Sequence, residues 1–385
     1  MKVRPLRLMI VGPYPDAGVA RGGVDAAVEG LVSSLAHRDE IGSILVLSPE
    51  RRLDHVEFSA NSKTRVLRIP AQRLALSTGG FRDVWAARAA AREFGADLIH
   101  GQGVGRAGDV ATRLGWPSVV TVHGMAHIEE RALAGDSLRG RARVALVERM
   151  VRRVLDRANA VISISEYDRA QLVPRDGTPV FVIPNAARLE FFDIPIVESE
   201  SLAFYSGGIV RRKNPLGLVT AFASVTKMLP DARLVIAGGS PDLAYAQEVR
   251  AAANSVGPAI SFPGALDTNS LSRVLERSRC AVLYSHQETL PCAIAEAMAA
   301  GRAVVASDVG GIGEMITSGE NGFLVVDGDE PALVAALCRC LGDEELAQRL
   351  GARGREVALS RFHPDAIADA TLGVYRTVLS AAVKS

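Results

Sequence analysis

Short, uninterrupted apolar runs alternate with helical patterns along almost the whole chain. Leu6–Val11, Ser43–Leu47 and Val66–Ile69 are the first of these runs, and none has the apolar–polar alternation of a half-exposed strand. Such runs are typical of parallel strands that are covered on both faces. Residues 24–36, between the first two runs, carry apolar side chains at helical spacing. The pattern therefore predicts β-α-β repetition and an α/β fold with doubly wound parallel sheets. Four more strands are predicted in the first half: Ala96–His100, Ser118–Val122, Ala160–Ile164 and Val180–Ile183.

The alternation pauses once, at residues 191–202. This stretch reads FFDIPIVESESL and has no clear period, and we interpret it as a linker between domains. A second series of predicted strands follows: Ala203–Ser206, Arg233–Ala237, Ile260–Phe262, Ala281–Tyr284, Val304–Ser307 and Gly322–Val326. We therefore predict two Rossmann-like domains, 1–190 and 203–362, which face each other across a cleft that holds the ligand. Residues 363–385 are expected to form a C-terminal helix that packs back toward the first domain.

Composition and charge exclude several classes of protein. The 385 residues include 44 Lys and Arg against 43 Asp and Glu, a net charge of +1, and aromatic residues make up only 5%. This balance argues against a nucleic-acid partner, which a basic face and stacking aromatics would bind. The four cysteines form no C-x-x-C pair, and this favours a reducing compartment. The first apolar run is shorter than the ~7–15 residues of a signal peptide, and no run approaches the ~18 residues of a membrane span. We expect a cytoplasmic protein.

A glycine motif in the first half suggests a dinucleotide. Gly103, Gly105 and Gly108 form a G-x-G-x-x-G directly after a predicted strand, as in dinucleotide-binding folds. However, this strand is not the first of its domain, and the next strand ends at His123-Gly124, where an NAD-binding fold places an acidic residue. An NAD-linked oxidoreductase is therefore a minor alternative.

A second short motif suggests a metal. Asp327 and Asp329 match the D-x-D by which some sugar transferases hold a divalent cation. Asp329 also precedes Pro331 at a predicted helix start, and a role as helix N-cap explains it locally. Cys338 and Cys340 project from different faces of that helix, so we predict no metal site and no cofactor.

The strongest chemical signal is a pair of carboxylates around a predicted helix N-terminus. Glu288 precedes the helix predicted over 291–300, and Glu296 lies in its second turn. A helix N-terminus attracts phosphate, while carboxylates accept hydrogen bonds from sugar hydroxyls. The alternative is an exposed loop glutamate and an unrelated glutamate on a solvated helix face.

Two glycine-containing segments add anion-binding features. Residues 206–215 (SGGIVRRKNP) follow the first strand of the second domain and place Arg211, Arg212 and Lys213 before a predicted helix start. Three adjacent cations suit a diphosphate, although a solvated basic turn is the alternative. Gly22 and Gly23 precede the first helix of the chain in the same manner.

Taken in order, these segments resemble a known family. The matching residues are Gly22-Gly23, Thr121 to Gly124, Ser163 to Glu166, Pro184-Asn185, Lys213-Asn214, Glu288 to Glu296 (E-x7-E), EAMAAG at 296–301 and SDVGGIGEMI at 307–316. The set covers essentially the whole chain and resembles the retaining glycosyltransferases of family 4, which have the two-domain GT-B fold.

The resemblance implies a reaction. A sugar would move from a nucleoside diphosphate sugar of the UDP or GDP type to an acceptor hydroxyl, with retention and without a metal. The acceptor, bound by the first domain, would be a glycan, a lipid-linked molecule or a small molecule, as in polysaccharide or glycoconjugate biosynthesis. A GT-B sugar-nucleotide epimerase or hydrolase and a non-catalytic nucleotide-sugar binding module remain alternatives.

The resemblance also implies a role for each candidate residue. Glu288 would bind the donor sugar, Glu296 the ribose and Lys213 the diphosphate. His123 would lie beside the donor sugar, near the reacting carbon. Backbone N–H groups would contribute to diphosphate binding at four further positions: Thr289, Leu290, Gly22 and Gly23.

The sequence departs from the family pattern at two places. The family arginine five residues before the phosphate lysine is here Gly208, and Arg212 or Arg211 is the candidate replacement. Pro184-Asn185 is followed by Ala-Ala-Arg where the family usually has Gly-Val-Asp.

One helix suggests a membrane surface. Residues Arg139–Arg157 carry seven arginines and a stripe of valines, Val144, Val147, Val151 and Val154. Such a helix can lie on an anionic membrane, which would place a cytoplasmic protein at the inner face. Packing against the sheet with a solvated basic face explains the same pattern, and we favour that interpretation.

Overall fold

The computed structural model describes residues 4–15, 22–50, 56–70, 80–124, 137–196 and 198–382. Contacts divide the chain into two units, one of residues 1–14, 28–184 and 367–385, the other of residues 15–27 and 185–366. Residues 185–190, which the sequence pattern placed in the first domain, thus group with the second unit. Val197 of the predicted linker and residues 383–385 lie outside the described residues.

The first unit contains an eight-stranded sheet in the order β3-β4-β2-β1-β5-β6-β7-β8. Its strands are β1 (Leu6–Val11), β2 (Ile41–Glu50), β3 (Val56–Ser59), β4 (Thr64–Pro70), β5 (Leu98–Gln102), β6 (Ser118–Val122), β7 (Ala160–Ser163) and β8 (Val180–Val182). Its helices are α1 (Gly23–Ala36), α2 (Phe81–Phe94), α3 (Arg106–Ala111), α4 (Leu138–Arg157) and α5 (Glu166–Arg169). The first turn of α1, up to Ala27, groups with the second unit. All strand pairs are parallel except β3 with β4. Because both faces are covered, Leu8 to Val11 of β1 are fully buried.

The second unit contains a six-stranded parallel sheet in the order β11-β10-β9-β12-β13-β14. Its strands are β9 (Glu200–Ser206), β10 (Arg233–Ala237), β11 (Ile260–Gly264), β12 (Ser278–Leu283), β13 (Ala303–Ser307) and β14 (Phe323–Val325). Its helices are α6 (Pro215–Met228), α7 (Leu243–Val256), α8 (Thr268–Arg277), α9 (Cys292–Ala299), α10 (Glu330–Gly342) and α11 (Glu344–Arg361). The predicted doubly wound α/β fold with two parallel sheets is thus confirmed.

The last helix, α12 (Pro364–Ala382), contributes residues 367–382 to the first unit. Tyr375 is buried there and contacts His100 of β5, and Arg376 forms an ion pair with Glu40. The first unit therefore closes with a segment that follows the second unit in the chain.

Two strands differ from the sequence-based predictions. The short edge strand β3 was not predicted, because its four residues are mostly exposed and form no apolar run. Strand β9 begins at Glu200, inside the stretch predicted as a linker. In both cases the backbone pairing, and not an apolar pattern, defines the strand.

The valine stripe of α4 packs inward, as the favoured interpretation expected. Val147, Val151 and Val154 are buried in a cluster with Val120 and Val161 of the sheet. Their burial anchors α4 to the sheet. None of the described helices is long and apolar enough to cross a membrane.

The order in which strands are added to the second sheet reverses between β9 and β12. Strands β9, β10 and β11 follow one another toward one edge, whereas β12, β13 and β14 follow one another toward the other. In open α/β sheets, ligands bind outside the carboxyl ends of the strands at such a switch point. The loops after Ser206 and Leu283 lie at this switch point and are therefore the expected ligand-binding segments.

A close backbone contact supports the loop after β9. Gly238 has a φ of +154°, and a Cβ atom there would overlap the carbonyl oxygen of Gly207. The N–H of Gly207 in turn donates to the carbonyl of Ala237 at 2.9 Å. Only glycine allows the two loops to approach this closely.

We predict that Gly238→Ala destabilises the second unit by about 2 kcal/mol or more, because the new methyl group must displace the backbone at Gly207. Gly239→Ala is the matched control, since a Cβ there has no atom within 4 Å. Denaturant unfolding of both variants measures the difference. Equal stability of the two variants would contradict the packing argument.

Candidate active site

The two loops at the switch point bring charged residues together. After β9, the chain passes through Gly207 and Gly208 into a 3-10 turn, Arg211–Lys213, and then into α6. After β12, the chain passes through Ser285 to Glu288 before α9 begins. The backbone N–H of His286 donates to the carbonyl of Arg212 at 2.9 Å. This bond ties the two loops to each other.

Glu288 lies at the centre of this cluster. Its side chain is only 6% exposed, and the Lys213 ammonium donates to its Oε1 at 2.7 Å. The Arg212 Nη1 lies 3.3 Å from Oε2, and the Ser285 hydroxyl donates to Oε1 at 3.1 Å. A buried carboxylate requires such partners, because desolvation otherwise makes its charge unfavourable. The alternative of an exposed loop glutamate is therefore wrong.

Opposing effects set the ionisation of Glu288. Burial raises the pKa of its carboxyl group, but the charges of Lys213 and Arg212 and the hydrogen bonds from Lys213 and Ser285 outweigh burial and lower it. Glu288 is therefore an anion at neutral pH. Its three contacts, to Lys213, Arg212 and Ser285, hold the carboxylate in a fixed orientation beside the switch point.

The three adjacent cations of the turn differ in their surroundings. Lys213 is 16% exposed and Arg212 is 38% exposed, and both contact Glu288. Arg212 also donates to the carbonyl of Gln287 at 2.6 Å. Arg211 instead points away, with 69% of its side chain exposed, and pairs with Glu248 at 3.3 Å. Of the two candidates for the arginine missing at Gly208, only Arg212 thus belongs to the cluster.

The loop that carries Glu288 is fixed by the chain after β13. Gly310 has a φ of +58°, and a Cβ atom there would overlap the carbonyl oxygen of Glu288. The N–H of Gly311 donates to the carbonyl of Thr289 at 2.8 Å, and Leu290 is buried. Thr289 and Leu290 therefore lie beside Glu288, on the segment that leads into α9.

Glu296 is the second carboxylate of the motif, and it is also buried. Its side chain is 8% exposed, and its Oε1 accepts from the Nε of Arg188 at 2.8 Å. Arg188 further donates to the Thr268 hydroxyl at 2.9 Å, and its guanidinium lies over the Phe191 ring, 4.7 Å from the centroid. The predicted alternative of a solvated helix glutamate is wrong here too.

A small cavity adjoins Glu296 under α8 and α9. Its lining is apolar apart from Glu296 and Ser206, and includes Phe191, Phe204 and Ile294. Glu296 therefore lies between the polar loops at the switch point and the apolar interior of the second unit.

His123 belongs to the first unit and directly follows β6. Its Nε2 lies 2.8 Å from the amide oxygen Oε1 of Gln102, at the end of β5. Since an amide oxygen only accepts, this contact places the His123 proton on Nε2. His123 thus lies at the carboxyl edge of the first sheet, where the strand order reverses between β1 and β5.

His100 is a structural residue of the same edge. Its ring nitrogens lie 2.7 Å from the hydroxyls of Tyr375 and Thr121. Burial, together with the nearby His123, lowers the pKa of His100 to about 3, so it is neutral at physiological pH. His100 is thus fully buried and neutral, and both of its ring nitrogens have partners. It holds the strands in place and is not available to a ligand.

Gly22 and Gly23 lie at the N-terminus of α1. Both are exposed, and the carbonyl of Gly22 accepts from the N–H of Ala26 at 3.2 Å, which closes the first helical turn. Gly22 and Gly23 thus form the start of a regular helix, and their binding of an anion stays a prediction.

The competing motifs have local explanations. Gly108 packs against the carbonyl of Gly103 and against Val154 of α4, so the G-x-G-x-x-G is a helix-packing feature. Asp329 caps α10 by accepting from the N–H of Ala332 at 2.9 Å, and Asp327 contacts His286. In the part of the chain that the structure describes, no group of three or more potential metal ligands is found.

Two residues of the site were missed by the sequence analysis. Arg188 pairs with a partner 108 positions away, and the only signal was its place where the family usually has aspartate. Tyr205, fully buried in β9, donates to the carbonyl of Gly208 at 2.8 Å and supports the basic turn. No pattern distinguishes this tyrosine from other apolar strand residues.

Two family models cover the chain. A glycosyl transferase 4-like domain matches residues 22–186, and the group 1 glycosyl transferase domain matches residues 187–357. The α-maltose-1-phosphate synthase of Mycolicibacterium smegmatis is 30% identical over 305 residues, which span 71% of this chain and 76% of that protein. The fold and the comparisons define a glycosyltransferase. The chain belongs to family 4 of these enzymes, which has the GT-B fold.

Solved structures share the fold across the chain. Sucrose-phosphate synthase from Thermosynechococcus elongatus has a TM-score of 0.80 at 24% identity, covering 98% of this chain and all of that one. The Anabaena protein HepE in complex with UDP-glucose has a TM-score of 0.74 at 18% identity, covering 97% of this chain and all of that one.

We predict that Lys213→Met weakens the folded protein increasingly as the pH rises from about 4 to 7. The lowered pKa of Glu288 makes its carboxylate stabilising above the unfolded-state value of 4.5, and this contribution is lost as the pH falls through the folded-state pKa. Without Lys213 the pKa of Glu288 rises, so the variant loses this contribution at neutral pH. The free energy of unfolding across that range measures the effect.

Arg211→Met is the matched control, because its partner Glu248 is half exposed. Its stability difference from the wild type is expected to be small and independent of pH. A difference for Lys213→Met that does not change with pH would contradict the assignment of Lys213 as the main counter-ion.

Proposed function

We propose that this glycosyltransferase moves a sugar from a nucleoside diphosphate sugar of the UDP or GDP type to an acceptor hydroxyl, with retention of configuration and without a metal ion. The observation that supports this proposal most directly is the buried Glu288, paired with Lys213 and Arg212 at the switch point. A carboxylate and two cations in one place suit a ligand that carries both hydroxyl groups and phosphates.

Lys213 and Arg212 would stabilise the departing diphosphate. An ammonium group has three donors, so Lys213 can hold Glu288 and a phosphate oxygen at the same time. Negative charge grows on the diphosphate as the bond to the sugar breaks, and cations held in place before the reaction lower that barrier. The paired cations thus supply the charge that a divalent metal supplies in other transferases.

Glu288 and His123 would act on the donor sugar. Glu288 would accept hydrogen bonds from sugar hydroxyls while its two cations keep it ionised. His123, with its proton on the Nε2 that faces Gln102, would present Nδ1 as an acceptor. Its place beside the sugar follows from the family resemblance. Backbone N–H groups at Thr289, Leu290, Gly22 and Gly23 would complete the diphosphate site.

The comparisons support the donor class. HepE shares the fold and was crystallised with UDP-glucose, and the names of the other two relatives describe products that are sugar phosphates. A glycan, a lipid-linked molecule or a small molecule with a free hydroxyl remains the proposed acceptor.

We expect Glu288→Gln and Lys213→Ala each to reduce sugar transfer by at least about 100-fold, the scale of losing one electrostatic group of an active site. Transfer is measured with a panel of UDP-, GDP- and ADP-sugars, and chelation of metals with EDTA is expected to leave it unchanged. Arg211→Ala, one residue from the cluster and directed away from it, is the control and keeps wild-type activity.

The same assay separates the alternatives. Turnover of the donor without an acceptor would identify a hydrolase or epimerase, and binding without turnover would identify a nucleotide-sugar binding module. Thermal stabilisation by NADH and by no nucleoside diphosphate would instead identify an oxidoreductase. Full activity of both variants would contradict the site assignment.

Contact with a membrane through Arg139–Arg157 is the alternative to a solvated basic face, and it can be tested directly. Six arginines of α4 are exposed in the structure: Arg139, Arg141, Arg143, Arg149, Arg152 and Arg157. Each basic residue near an anionic surface contributes about 1 kcal/mol. If the basic face contacts a membrane, the protein co-sediments with vesicles of phosphatidylglycerol and the triple variant Arg139→Gln/Arg141→Gln/Arg143→Gln does not, whereas the favoured solvated face gives no co-sedimentation. Equal sedimentation with neutral phosphatidylcholine vesicles would contradict an electrostatic contact.

A further inference from the structure

Arg188 is a buried cation whose partner is the second carboxylate of the E-x7-E motif. Its side chain is 11% exposed, and its Nε donates to Oε1 of Glu296 at 2.8 Å. Burial lowers the pKa of Arg188, but the charge and the hydrogen bond of Glu296, with smaller contributions from Cys292 and Glu190, together outweigh burial and raise it. The pair is largely shielded from water, where a hydrogen-bonded ion pair is strongest and most directional.

Arg188 is itself held in one orientation. Its Nη1 donates to the hydroxyl of Thr268 at 2.9 Å, at the first residue of α8. The guanidinium plane lies over the ring of the buried Phe191. A guanidinium group that is bound through two nitrogens and stacked on one face cannot rotate. This planar fork therefore holds Glu296 in one rotamer.

The contact leaves Glu296 able to bind a ligand. A carboxylate has about four acceptor positions on its two oxygens, and the hydrogen bond from Arg188 takes one of those on Oε1. Glu296 projects from the second turn of α9, whereas Glu288 lies on the loop that precedes this helix. A vicinal diol needs two acceptors in a fixed relation, which a carboxylate in one rotamer supplies.

We propose that Arg188 is a positioning residue that fixes Glu296 for the ribose diol of the nucleotide, and so sets the preference for ribonucleotides over deoxyribonucleotides. This inference rests on the proposed function, which assigns a nucleoside diphosphate to the same unit. Arg188 acts through Glu296 and does not touch the reacting atoms. Loss of the fork therefore changes discrimination at the ribose more than it changes binding of the diphosphate.

The test compares two probes, UDP and 2′,3′-dideoxy-UDP, or the GDP pair if the panel favours guanine. Calorimetry with the full-length protein gives the dissociation constant of the dideoxy nucleotide divided by that of the ribonucleotide. We expect a ratio of about 10 or more for the wild type, the scale of hydrogen bonds to a charged group. We expect a ratio near 1 for Glu296→Gln.

Arg188→Lys separates charge from geometry. A lysine keeps the positive charge near the diphosphate, but its single ammonium cannot reproduce the planar fork that joins Glu296 to Thr268. We expect the Arg188→Lys variant to bind dideoxy-UDP about as tightly as the wild type does. The ratio of the two dissociation constants is expected to fall to about 1–3. In Glu296→Gln, the further change Arg188→Lys is expected to leave the ratio unaltered, because the two residues act as one unit.

Arg277→Met is the matched control, since Arg277 pairs with Glu200 through the same fork on the exposed surface. It is expected to keep the wild-type ratio. A wild-type ratio in Arg188→Lys would overturn the inference, even if the enzyme transfers sugar as proposed. Failure of the wild type to bind any nucleoside diphosphate would overturn the proposed function, and this inference with it.

Discussion

The burial of a negative charge at Glu288 is the constraint on which the rest of the site depends. A carboxylate that is 6% exposed stays ionised only if cations replace the water it has lost. Lys213 and Arg212 meet that requirement from a turn 75 residues earlier in the chain. The turn can reach Glu288 because β9 and β12 are neighbours in the sheet, and their carboxyl ends open at the same edge.

The same rule applies a second time at Glu296. Here Arg188, from the segment that precedes the second sheet, supplies the cation. Each carboxylate of the motif thus has its own counter-ion, and the two pairs bracket the first helical turn of α9. The arrangement holds both acceptors in place before any ligand arrives. Preorganised charge of this kind is what favours transition-state stabilisation over mere binding.

The sequence predicted the architecture and singled out Glu288 and Lys213 as candidate site residues, because both leave local signals, but it did not predict that the two form an ion pair. Apolar runs located thirteen of the fourteen strands among the described residues, and the E-x7-E spacing with the basic turn located Glu288 and Lys213. The edge strand Val56–Ser59 was missed because its pairing, and not its apolar content, defines it. Arg188 was missed because its partner lies far along the chain, and only folding brings the two together. Arg211 and Arg212 were indistinguishable in sequence, since the direction of a side chain in a 3-10 turn depends on what each one meets.

A crystal structure of the protein with a non-transferable analogue of its donor sugar nucleotide tests the central claim most directly. We expect a diphosphate oxygen within hydrogen-bonding distance of Lys213 Nζ, and a sugar hydroxyl that donates to the Glu288 carboxylate. A diphosphate bound away from the switch point, with the Lys213–Glu288 pair untouched by ligand, would contradict it.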